Sequence, residues 1–292
     1  MKNHLLIFGY GYTARTIARI LNKGEWDISA TSRSKTSDKY CTILRYNELE
    51  IKEVLKNATH ILISIPPNDK GDVVFQKFGK LITNCKNIKW IGYFSSTAVY
   101  GNHNGGWVDE TTDTSPSSRR GENRKLAENQ WLELKKVSSI PVNIFRLSGI
   151  YGPNRNALSQ IKAGRAVSIN KKHQVFSRVH VSDISQTVEA AMNMRLQSEV
   201  FNVTDDYPCS SIEVNNYAAS ILKTNSPKVI DFAEADLSKM AKEFYNDNRR
   251  VSNKKIKEKL SIILKFPTYR EGIDRLFQFD SHDNSNIENA ED

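Results

Sequence analysis

The chain has 292 residues, of which 39% are hydrophobic, enough to fill the core of one large domain or of a main domain with a smaller one attached. The formal net charge is +9, but the Lys and Arg residues are spread along the chain without a motif that reads bases, which argues against nucleic acid as a partner. A basic surface that attracts small anionic substrates is the simpler interpretation. No segment approaches the roughly 18 consecutive apolar residues of a membrane span, so no membrane partner is expected.

The three cysteines, Cys41, Cys85 and Cys209, are widely spaced and odd in number. They are not accompanied by a C-x-x-C pair or by nearby histidines, so the sequence predicts neither a disulfide framework nor a metal site. Reduced thiols of this kind are typical of a cytoplasmic protein.

The first predicted strand leads into the most informative turn of the chain. Residues 5–8 are apolar, and Gly9-Tyr-Gly-Tyr-Thr-Ala14 follows them as a G-x-G-x-x-A pattern that opens a helix. In this pattern Gly9 allows a tight turn, Gly11 lets the backbone approach a pyrophosphate, and Ala14 lets the helix pack against the strand. The helix N-terminus offers N–H groups to the anion. The alternative is a tight strand-to-helix turn that binds no phosphate. The pattern predicts a dinucleotide site formed by Gly9, Tyr10, Gly11, Tyr12, Thr13 and Ala14.

Strand-like runs alternate with helical patterns through the first half of the chain. The strands are predicted at residues 4–8, 27–31, 60–65, 90–95 and 142–146. This alternation predicts an α/β fold with a doubly wound parallel sheet of the Rossmann type, in which ligands bind at the carboxyl ends of the strands.

The second half of the chain has a less regular pattern, although residues 200–203 are predicted to be a late strand that returns to the main sheet. We therefore expect a Rossmann domain made of residues 1–150 and about 178–206. A smaller, interleaved C-terminal substrate region is expected to contain residues 151–177 and 207–278. Residues 279–292 are polar and acidic, and they are predicted to form a disordered tail.

The ends of the second and third predicted strands bear on the cofactor. An acidic residue about 20 positions beyond the glycines is typical of NAD binding, but here the second strand ends in Ser32 and Arg33. A guanidinium suits a 2′-phosphate, so NADP is favoured over NAD, with a plain surface arginine as the alternative. At the end of the third strand, Ser64, Ile65 and Pro66 either wall the cofactor cleft or form a strand-ending turn.

Four further segments carry a family resemblance. They are Ser95-Ser-Thr-Ala-Val-Tyr-Gly101, Arg146-Leu-Ser-Gly-Ile-Tyr-Gly-Pro153, Val179-His-Val-Ser-Asp183 and Phe201-Asn-Val203. With the glycine turn, they resemble the extended short-chain dehydrogenase/reductases, the group of nucleotide-sugar epimerases and dehydratases, over roughly residues 4–205. Residues 249–273 resemble a bacterial epimerase-like sub-branch without an established reaction.

The resemblance implies a Rossmann fold, bound NAD or NADP, and a nucleotide-linked or phosphorylated sugar as substrate. It also places Ser96 at the family's catalytic hydroxyl, which orients the substrate oxygen beside the nicotinamide. Homodimers are common in the family, so a homodimer is an open expectation here.

The sequence departs from the family at the Tyr-x-x-x-Lys pair. Counting from Glu128, Arg120 stands where the tyrosine belongs and Arg124 where the lysine belongs; a shift by one residue gives Lys125 but still no tyrosine. Arginine stays protonated, so it cannot cycle the proton that accompanies hydride transfer. Arg120 is expected either to contact a substrate group electrostatically or to be a solvated helical residue. His180 is the candidate replacement acid, with a packing role as the alternative.

Two functions follow from these residues. The first is an NAD(P)-binding oxidoreductase or epimerase/dehydratase-like enzyme with a non-standard active site, in which Ser96 orients the reacting hydroxyl and Arg120 or Arg124 contacts anionic groups. The alternative is a non-catalytic NADP(H)-binding sensor or assembly partner. In that case no proton has to move, and the missing tyrosine is tolerated.

Overall fold

The computed structural model describes residues 2–21, 26–34, 36–194 and 197–288. The strands in these residues are β1 (Asn3–Phe8), β2 (Trp26–Thr31), β3 (Thr42–Leu44), β4 (His60–Ile63), β5 (Trp90–Ser96), β6 (Trp107–Val108), β7 (Val142–Leu147), β8 (Gly149–Tyr151), β9 (Ser168–Asn170), β10 (Arg178–His180), β11 (Glu199–Val203), β12 (Val229–Asp231) and β13 (Arg250–Val251). The helices are α1 (Tyr12–Leu21), α2 (Glu48–Leu55), α3 (Val73–Thr83), α4 (Arg119–Glu133), α5 (Ala157–Lys162), α6 (Val181–Asn193), α7 (Ser211–Ile221), α8 (Lys239–Asn246), α9 (Lys254–Leu260) and α10 (Tyr269–Glu288), with short 3-10 turns at Thr97–Tyr100 and Leu134–Lys136. None of the described helices combines the length and the apolar composition that a membrane span needs.

Seven of these strands form one parallel sheet in the order β11-β7-β5-β4-β1-β2-β3. The chain runs outward from β1 through β2 to β3, and then crosses to β4 on the other side of β1. The strand order therefore reverses between β1 and β4. Ligands of doubly wound sheets bind at such a reversal, outside the carboxyl ends of the strands. The prediction of an α/β fold with a doubly wound parallel sheet is confirmed.

The side chains of β1 fill a core on each face of this sheet. Leu5 and Ile7 belong to the core that packs under α1, α6 and α9, and Leu6 and Phe8 belong to the core under α2, α3 and α4. All four side chains are fully buried. A strand covered on both faces requires a continuous apolar run, which is what the sequence has at this point. This two-sided burial holds β1, and with it the glycine turn that follows, in the middle of the molecule.

A smaller region lies beside the main sheet. Its core is a separate cluster in which α5, α7 and α10 pack together, containing Tyr151, Leu158, Cys209, Val214, Ala218, Tyr269, Ile273 and Leu276. Between the parts of this region the chain returns to the sheet, where β11 pairs with β7 and Val203 lies opposite Leu147. The smaller region is therefore interleaved with the sheet along the chain.

The disordered tail predicted at residues 279–292 overlaps the end of α10, and its disorder stays a prediction. Residues 279–288 continue α10 as a helix, because its earlier turns are anchored by Ile273 and Leu276 in the core of the smaller region. Residues 289–292 of the predicted tail lie outside the described residues.

Candidate cofactor and substrate cleft

A cleft of about 620 Å³ opens at the carboxyl ends of the central strands. Residues that end or follow β4, β5, β7 and β8 line it, among them Ser64, Pro66, Ser96, Leu147 and Arg155, together with Thr13 near the start of α1. The cleft thus lies beside the reversal of strand order between β1 and β4. Ser64 and Pro66, which directly follow the end of β4 at Ile63, both line it.

Gly9 makes the turn from β1 to α1. Its φ angle of +94° lies in the left-handed region, and its N–H donates to Thr31 Oγ1 at 2.9 Å. A Cβ atom at Gly9 would lie 2.8 Å from Ile65 Cγ1, so neither the backbone angle nor the space suits another residue. The Ser64 N–H donates to the Phe8 carbonyl at 2.8 Å and ties the end of β4 to the end of β1. Ile65 therefore packs against the glycine turn.

Gly11 differs from Gly9 because the space beside it is open. A Cβ atom at Gly11 would have no other atom within 4 Å. On the following turn, Ala14 is fully buried against the core and Thr13 lines the cleft. The first N–H groups of a helix have no partner within it and attract anions. The residues therefore fit the pyrophosphate of a dinucleotide, with Gly11 leaving the room that backbone approach requires.

The two tyrosines of the glycine turn have different surroundings. Tyr10 is buried in the core shared by β1 and α1, so its side chain supports the turn from within the protein. Tyr12 begins α1, and its hydroxyl donates to the Pro153 carbonyl at 3.0 Å. The structure thus places Tyr10 in the core and Tyr12 at the contact between the glycine turn and residues that follow β8.

Arg33 is exposed just beyond the end of β2. The Ser32 N–H donates to the Leu44 carbonyl at 3.1 Å, and the Ser34 N–H donates to Ser32 Oγ at 3.3 Å, so the backbone at this point is held in place. Residues 32–34 contain no carboxylate that would repel a phosphate. The exposed guanidinium of Arg33 can therefore approach an anion beside the second strand.

Ser96 ends β5 and lines the cleft. Its Oγ accepts a hydrogen bond from the Ala98 N–H at 3.2 Å and so caps the 3-10 turn at Thr97–Tyr100. This contact uses a lone pair of the hydroxyl and leaves its hydrogen to be donated elsewhere. Ser96 can therefore serve as a cap and still donate to a bound oxygen.

Helix α4 brings Arg120 into the same cleft. The Ser118 side chain caps the helix by accepting from the Gly121 N–H at 3.2 Å. A Cβ atom at Gly121 would lie 2.8 Å from the Ala98 carbonyl oxygen, so the first turn of α4 packs directly on the 3-10 turn that Ser96 caps. Arg120 lies between these contacts and has an exposed side chain that lines the cleft.

Arg124 lies one turn further along α4 and is held by the sheet. Its Nη1 donates to the Tyr93 hydroxyl at 3.2 Å and also to the Phe94 carbonyl. Lys125, the residue offered by the shifted alignment, donates through Nζ to the Thr114 carbonyl at 2.6 Å. Arg124 therefore lines the cleft as a fixed positive charge, while Arg120 is the more exposed of the two arginines.

His180 is placed apart from these groups. It lies outside the set of described residues that line the cleft, and it caps α6 by accepting from the Ser182 N–H at Nδ1 over 3.2 Å. The rings of Phe266 and Tyr151 pack on it, with centroids 4.1 and 5.2 Å away. Burial lowers the pKa of His180 to about 4. The structure thus supports the packing alternative for His180.

Six described residues of the cleft lining lie between residues 238 and 249, in the predicted substrate region, where the sequence predicted no individual site residue. Arg249 donates through Nη1 to the Gly101 carbonyl at 2.6 Å and pairs with Asp247 at 2.8 Å. Phe244 on α8 stacks on Phe176, with centroids 4.7 Å apart, and remains 56% exposed. The sequence signal for this wall of the cleft is the segment at residues 249–273, whose resemblance to an epimerase-like sub-branch assigns no role to Arg249.

The charges around the cleft are unequal. Among the described residues, its charged lining consists of Arg120, Arg124, Arg155, Arg249, Glu243 and Asp247. Asp247 is already paired with Arg249 and also accepts from the Ser117 hydroxyl. Within the described part of the chain, Arg120 and Arg155 have no carboxylate within salt-bridge distance. This excess of positive charge favours an anionic ligand.

A buried polar network supports the cleft from below. Arg146 on β7 donates to Glu128 on α4 through Nε and Nη2, at 3.1 and 2.8 Å. Its Nη1 donates to the Tyr100 hydroxyl at 2.9 Å, and that hydroxyl donates to Asn202 Oδ1 at 2.7 Å. The network joins α4, the 3-10 turn, β7 and β11, so the elements that carry Ser96 and Arg120 are held in one arrangement.

Comparison with known proteins supports the fold and a relationship to one solved protein. No family model matches the chain, and no curated protein matches it. The structure of a functionally unknown conserved protein from Silicibacter pomeroyi DSS is 40% identical, with 95% of this chain and 99% of that chain covered and a TM-score of 0.87.

More distant solved structures have the same fold. A dTDP-glucose 4,6-dehydratase from Bacillus anthracis, solved in complex with NAD, is 15% identical over 97% of this chain and 98% of its own, with a TM-score of 0.76. A UDP-glucuronic acid 4-epimerase from Bacillus cereus, also in complex with NAD, is 14% identical over 96% of this chain and 99% of its own, with a TM-score of 0.74. At these identities the likeness establishes the fold.

Proposed function

The chain belongs to the same protein family as the functionally unknown conserved protein from Silicibacter pomeroyi, and from this premise we propose that it is an NAD(P)-binding oxidoreductase or epimerase/dehydratase-like enzyme with a non-standard active site. Its fold is that of NAD-containing dehydratases and epimerases that act on nucleotide sugars, which supports the general class. The conserved relative has no known function, so the assignment depends on the chemistry of the cleft.

The observation that carries the proposal is the open space at Gly11. A glycine that touched other protein atoms could be explained by packing alone, as Gly9 is explained by Ile65. Gly11 has no atom within 4 Å of the position of its missing Cβ, and it directly precedes α1, whose second residue, Thr13, lines the cleft. Such a cradle serves a ligand rather than the fold. A dinucleotide pyrophosphate is the ligand that this strand-turn-helix pattern binds.

A nicotinamide supplies a hydride donor or acceptor when it is bound. On the protein side, Ser96 donates its free hydroxyl hydrogen to the substrate oxygen and so orients it. Arg120 stabilises negative charge on the substrate from the first turn of α4, and Arg124 adds a fixed positive charge from the next turn. Neither arginine moves a proton, since a guanidinium stays protonated.

The proposed substrate is a small anionic molecule, and a nucleotide-linked or phosphorylated sugar fits this description. Its support is the excess of guanidinium groups around the cleft, where no carboxylate of the described residues lies within salt-bridge distance of Arg120. The aromatic face of Phe244 offers an apolar surface on the same cleft for a ring of the substrate. Phosphate oxygens and a flat ring together match this lining better than a neutral aliphatic substrate does.

We also propose that NADP is bound in preference to NAD, although the distant structures contain NAD. The support is local: Arg33 is exposed at the end of β2, and residues 32–34 contain no carboxylate. A ribose 2′-hydroxyl is normally held by a carboxylate at this place, whereas a 2′-phosphate is held by an arginine.

The cellular location and the assembly state are further parts of the proposal. A cytoplasmic location is proposed from the odd number and wide spacing of Cys41, Cys85 and Cys209, none of which the structure joins in a disulfide bond. A homodimer is proposed by resemblance to the extended short-chain dehydrogenase/reductases. Analytical ultracentrifugation at several concentrations would test it, and a single monomeric species would exclude it.

A non-catalytic NADP(H)-binding sensor is the second candidate. Two observations favour it: Arg120 stands where an acid–base tyrosine belongs, and Ser96 already caps a 3-10 turn. A sensor and an enzyme differ in one measurable respect, because an enzyme must change the redox state of the nicotinamide or release a changed sugar.

The test begins with calorimetric titration of cofactor-stripped protein with NADPH and with NADH. The loaded protein is then mixed with a panel of nucleotide sugars and sugar phosphates while nicotinamide absorbance and sugar products are followed. Turnover of any of them supports the enzyme, and binding without turnover supports the sensor. Absence of binding to both dinucleotides would overturn the proposal.

A further inference from the structure

The turn at residues 152–155, which follows β8, is built as a tight and inflexible loop. Gly152 and Arg155 exchange two backbone hydrogen bonds, each 3.0 Å long. The Asn156 side chain donates to the Gly152 carbonyl at 2.9 Å, and Asn154 has a φ angle of +60°. We refer to residues 152–155 as the clasp.

The clasp is attached to the first turn of α1. The Tyr12 hydroxyl donates to the Pro153 carbonyl at 3.0 Å, although the two residues are 141 positions apart. A Cβ atom at Gly152 would lie 2.6 Å from the Tyr12 hydroxyl oxygen and 2.8 Å from Val181 Cγ1. Any residue other than glycine would therefore push the clasp away from Tyr12. The close approach indicates that this contact is a built feature of the fold.

Arg155 extends from the clasp into the cleft. Its guanidinium carbon lies 5.7 Å from the centre of the Tyr12 ring, within the range of a cation–π contact, and Arg155 lines the cleft together with Thr13. No carboxylate of the described residues lies within salt-bridge distance of it. Arg155 is thus a positive charge without a counterion, held beside the residue that begins α1.

From this placement we infer that Arg155 binds the pyrophosphate of the dinucleotide, together with the N–H groups at the start of α1. The inference rests on the proposed cofactor binding. Arg155 is assigned to the cofactor rather than to the substrate because it packs against Tyr12, which directly follows Gly11. Tyr12 contacts the clasp through the Pro153 carbonyl and contacts Arg155 through its ring. Arg120 and Arg249, by contrast, are carried by α4 and by the segment before β13.

The test uses the full chain, stripped of cofactor, and three variants: Arg155→Ala, Arg155→Lys and Tyr12→Phe. Arg165→Ala is the matched control, because Arg165 is an exposed arginine of the same region that lies outside the cleft lining. Each protein is titrated calorimetrically with NADH, with NADPH and with ADP-ribose, which contains the pyrophosphate but no nicotinamide. Thermal unfolding of every variant confirms that it is folded.

We expect Arg155→Ala to weaken the binding of all three ligands by roughly tenfold or more, because a hydrogen bond to a charged group is lost. Arg155→Lys should recover part of this loss, because it keeps the charge but not the planar fork. Tyr12→Phe should weaken binding by roughly a few-fold, because the hydrogen bond to the Pro153 carbonyl is lost while the charge of Arg155 remains. The affinity of the wild-type protein for these ligands should fall more steeply with salt concentration than the affinity of Arg155→Ala does.

Unchanged affinity of Arg155→Ala for ADP-ribose would overturn the assignment of Arg155 while leaving the proposed cofactor binding in place. An equal loss in Arg165→Ala would also overturn it, because the effect would then come from general charge. If the wild-type protein binds none of the three ligands, the proposed function fails, and the role of Arg155 fails with it.

Discussion

Arg146 and Glu128 form an ion pair that is almost completely shielded from water, with side chains only 7% and 3% exposed and a closest separation of 2.8 Å. The pair lies under the cleft and connects the helix that carries Arg120 to the sheet that carries Ser96. The guanidinium has a further partner, because Arg146 Nη1 donates to the Tyr100 hydroxyl at 2.9 Å.

The first prediction concerns this pair. Glu128→Ala should lower the free energy of unfolding by about 3–5 kcal/mol, because it leaves the Arg146 charge buried without a counterion. Glu133→Ala, at the exposed end of the same helix, is the matched control and should change stability by less than about 0.5 kcal/mol. Urea unfolding of the three proteins provides the measurement. Similar small losses in both variants would contradict the importance of the buried pair.

The two glycines of the turn should respond differently to substitution. Gly11→Val should leave the fold intact, because the space beside Gly11 is open, but it should abolish binding of NADH and NADPH. Gly9→Ala should instead lower the free energy of unfolding, by about 1–3 kcal/mol for the backbone angle alone. Calorimetric titration and thermal unfolding separate the two effects. Retained binding in a folded Gly11→Val variant would mean that the pyrophosphate lies elsewhere.

The preference for NADP can be tested at Arg33. Arg33→Asp should weaken NADPH binding by roughly tenfold to hundredfold, because it removes a charged hydrogen bond and adds repulsion. NADH binding by the same variant is the internal control and should change much less. An equal loss for both dinucleotides would argue that Arg33 does not distinguish them.

The pH dependence of stability should contain a contribution from Asp205. This carboxyl is 2% exposed, accepts from the Tyr207 N–H at 3.2 Å, and has a pKa that burial raises to about 8. In the unfolded chain an aspartate has a pKa of about 3.9. Between these two pKa values Asp205 is protonated in the folded state and ionised in the unfolded state. The contribution of Asp205 to the free energy of unfolding is therefore full below about pH 4 and is lost as the pH rises through about 8.

Asp205→Asn removes this titration. Urea unfolding at pH 5, 7 and 9 should therefore show that the wild-type protein loses stability relative to Asp205→Asn as the pH rises. Parallel pH profiles for the two proteins would exclude a proton on Asp205 in the folded state.

Local features of the chain were the most predictable. The apolar run of β1 and the glycine turn lie within a dozen residues, and the need for burial on both faces and for a left-handed residue at Gly9 can be inferred from those residues alone. The edge strand β3 was not predicted, because three residues are too short to show a periodic pattern.

The orientation of side chains and the far wall of the cleft could not be predicted. The glycine pattern predicts that Tyr10 and Tyr12 both belong to the dinucleotide site. In the structure Tyr10 is buried in the core, whereas the Tyr12 hydroxyl donates to the Pro153 carbonyl. Arg249 is held at the cleft by the distant Gly101 carbonyl as well as by the nearby Asp247, and no local pattern predicts the contact with Gly101. For Arg120 the sequence predicted the loss of proton transfer, and its exposed place in the cleft required the fold.

The contact between Arg249 and the Gly101 carbonyl joins residues 148 positions apart. During synthesis on the ribosome, the strands β1 to β7 emerge well before this arginine does, so the sheet and its glycine turn can begin to fold while one wall of the cleft is still missing. Closing a loop of this length carries an entropic cost that local contacts do not. The nascent protein therefore acquires the central sheet and the glycine turn first, and the far wall of the cleft only after Arg249 has emerged.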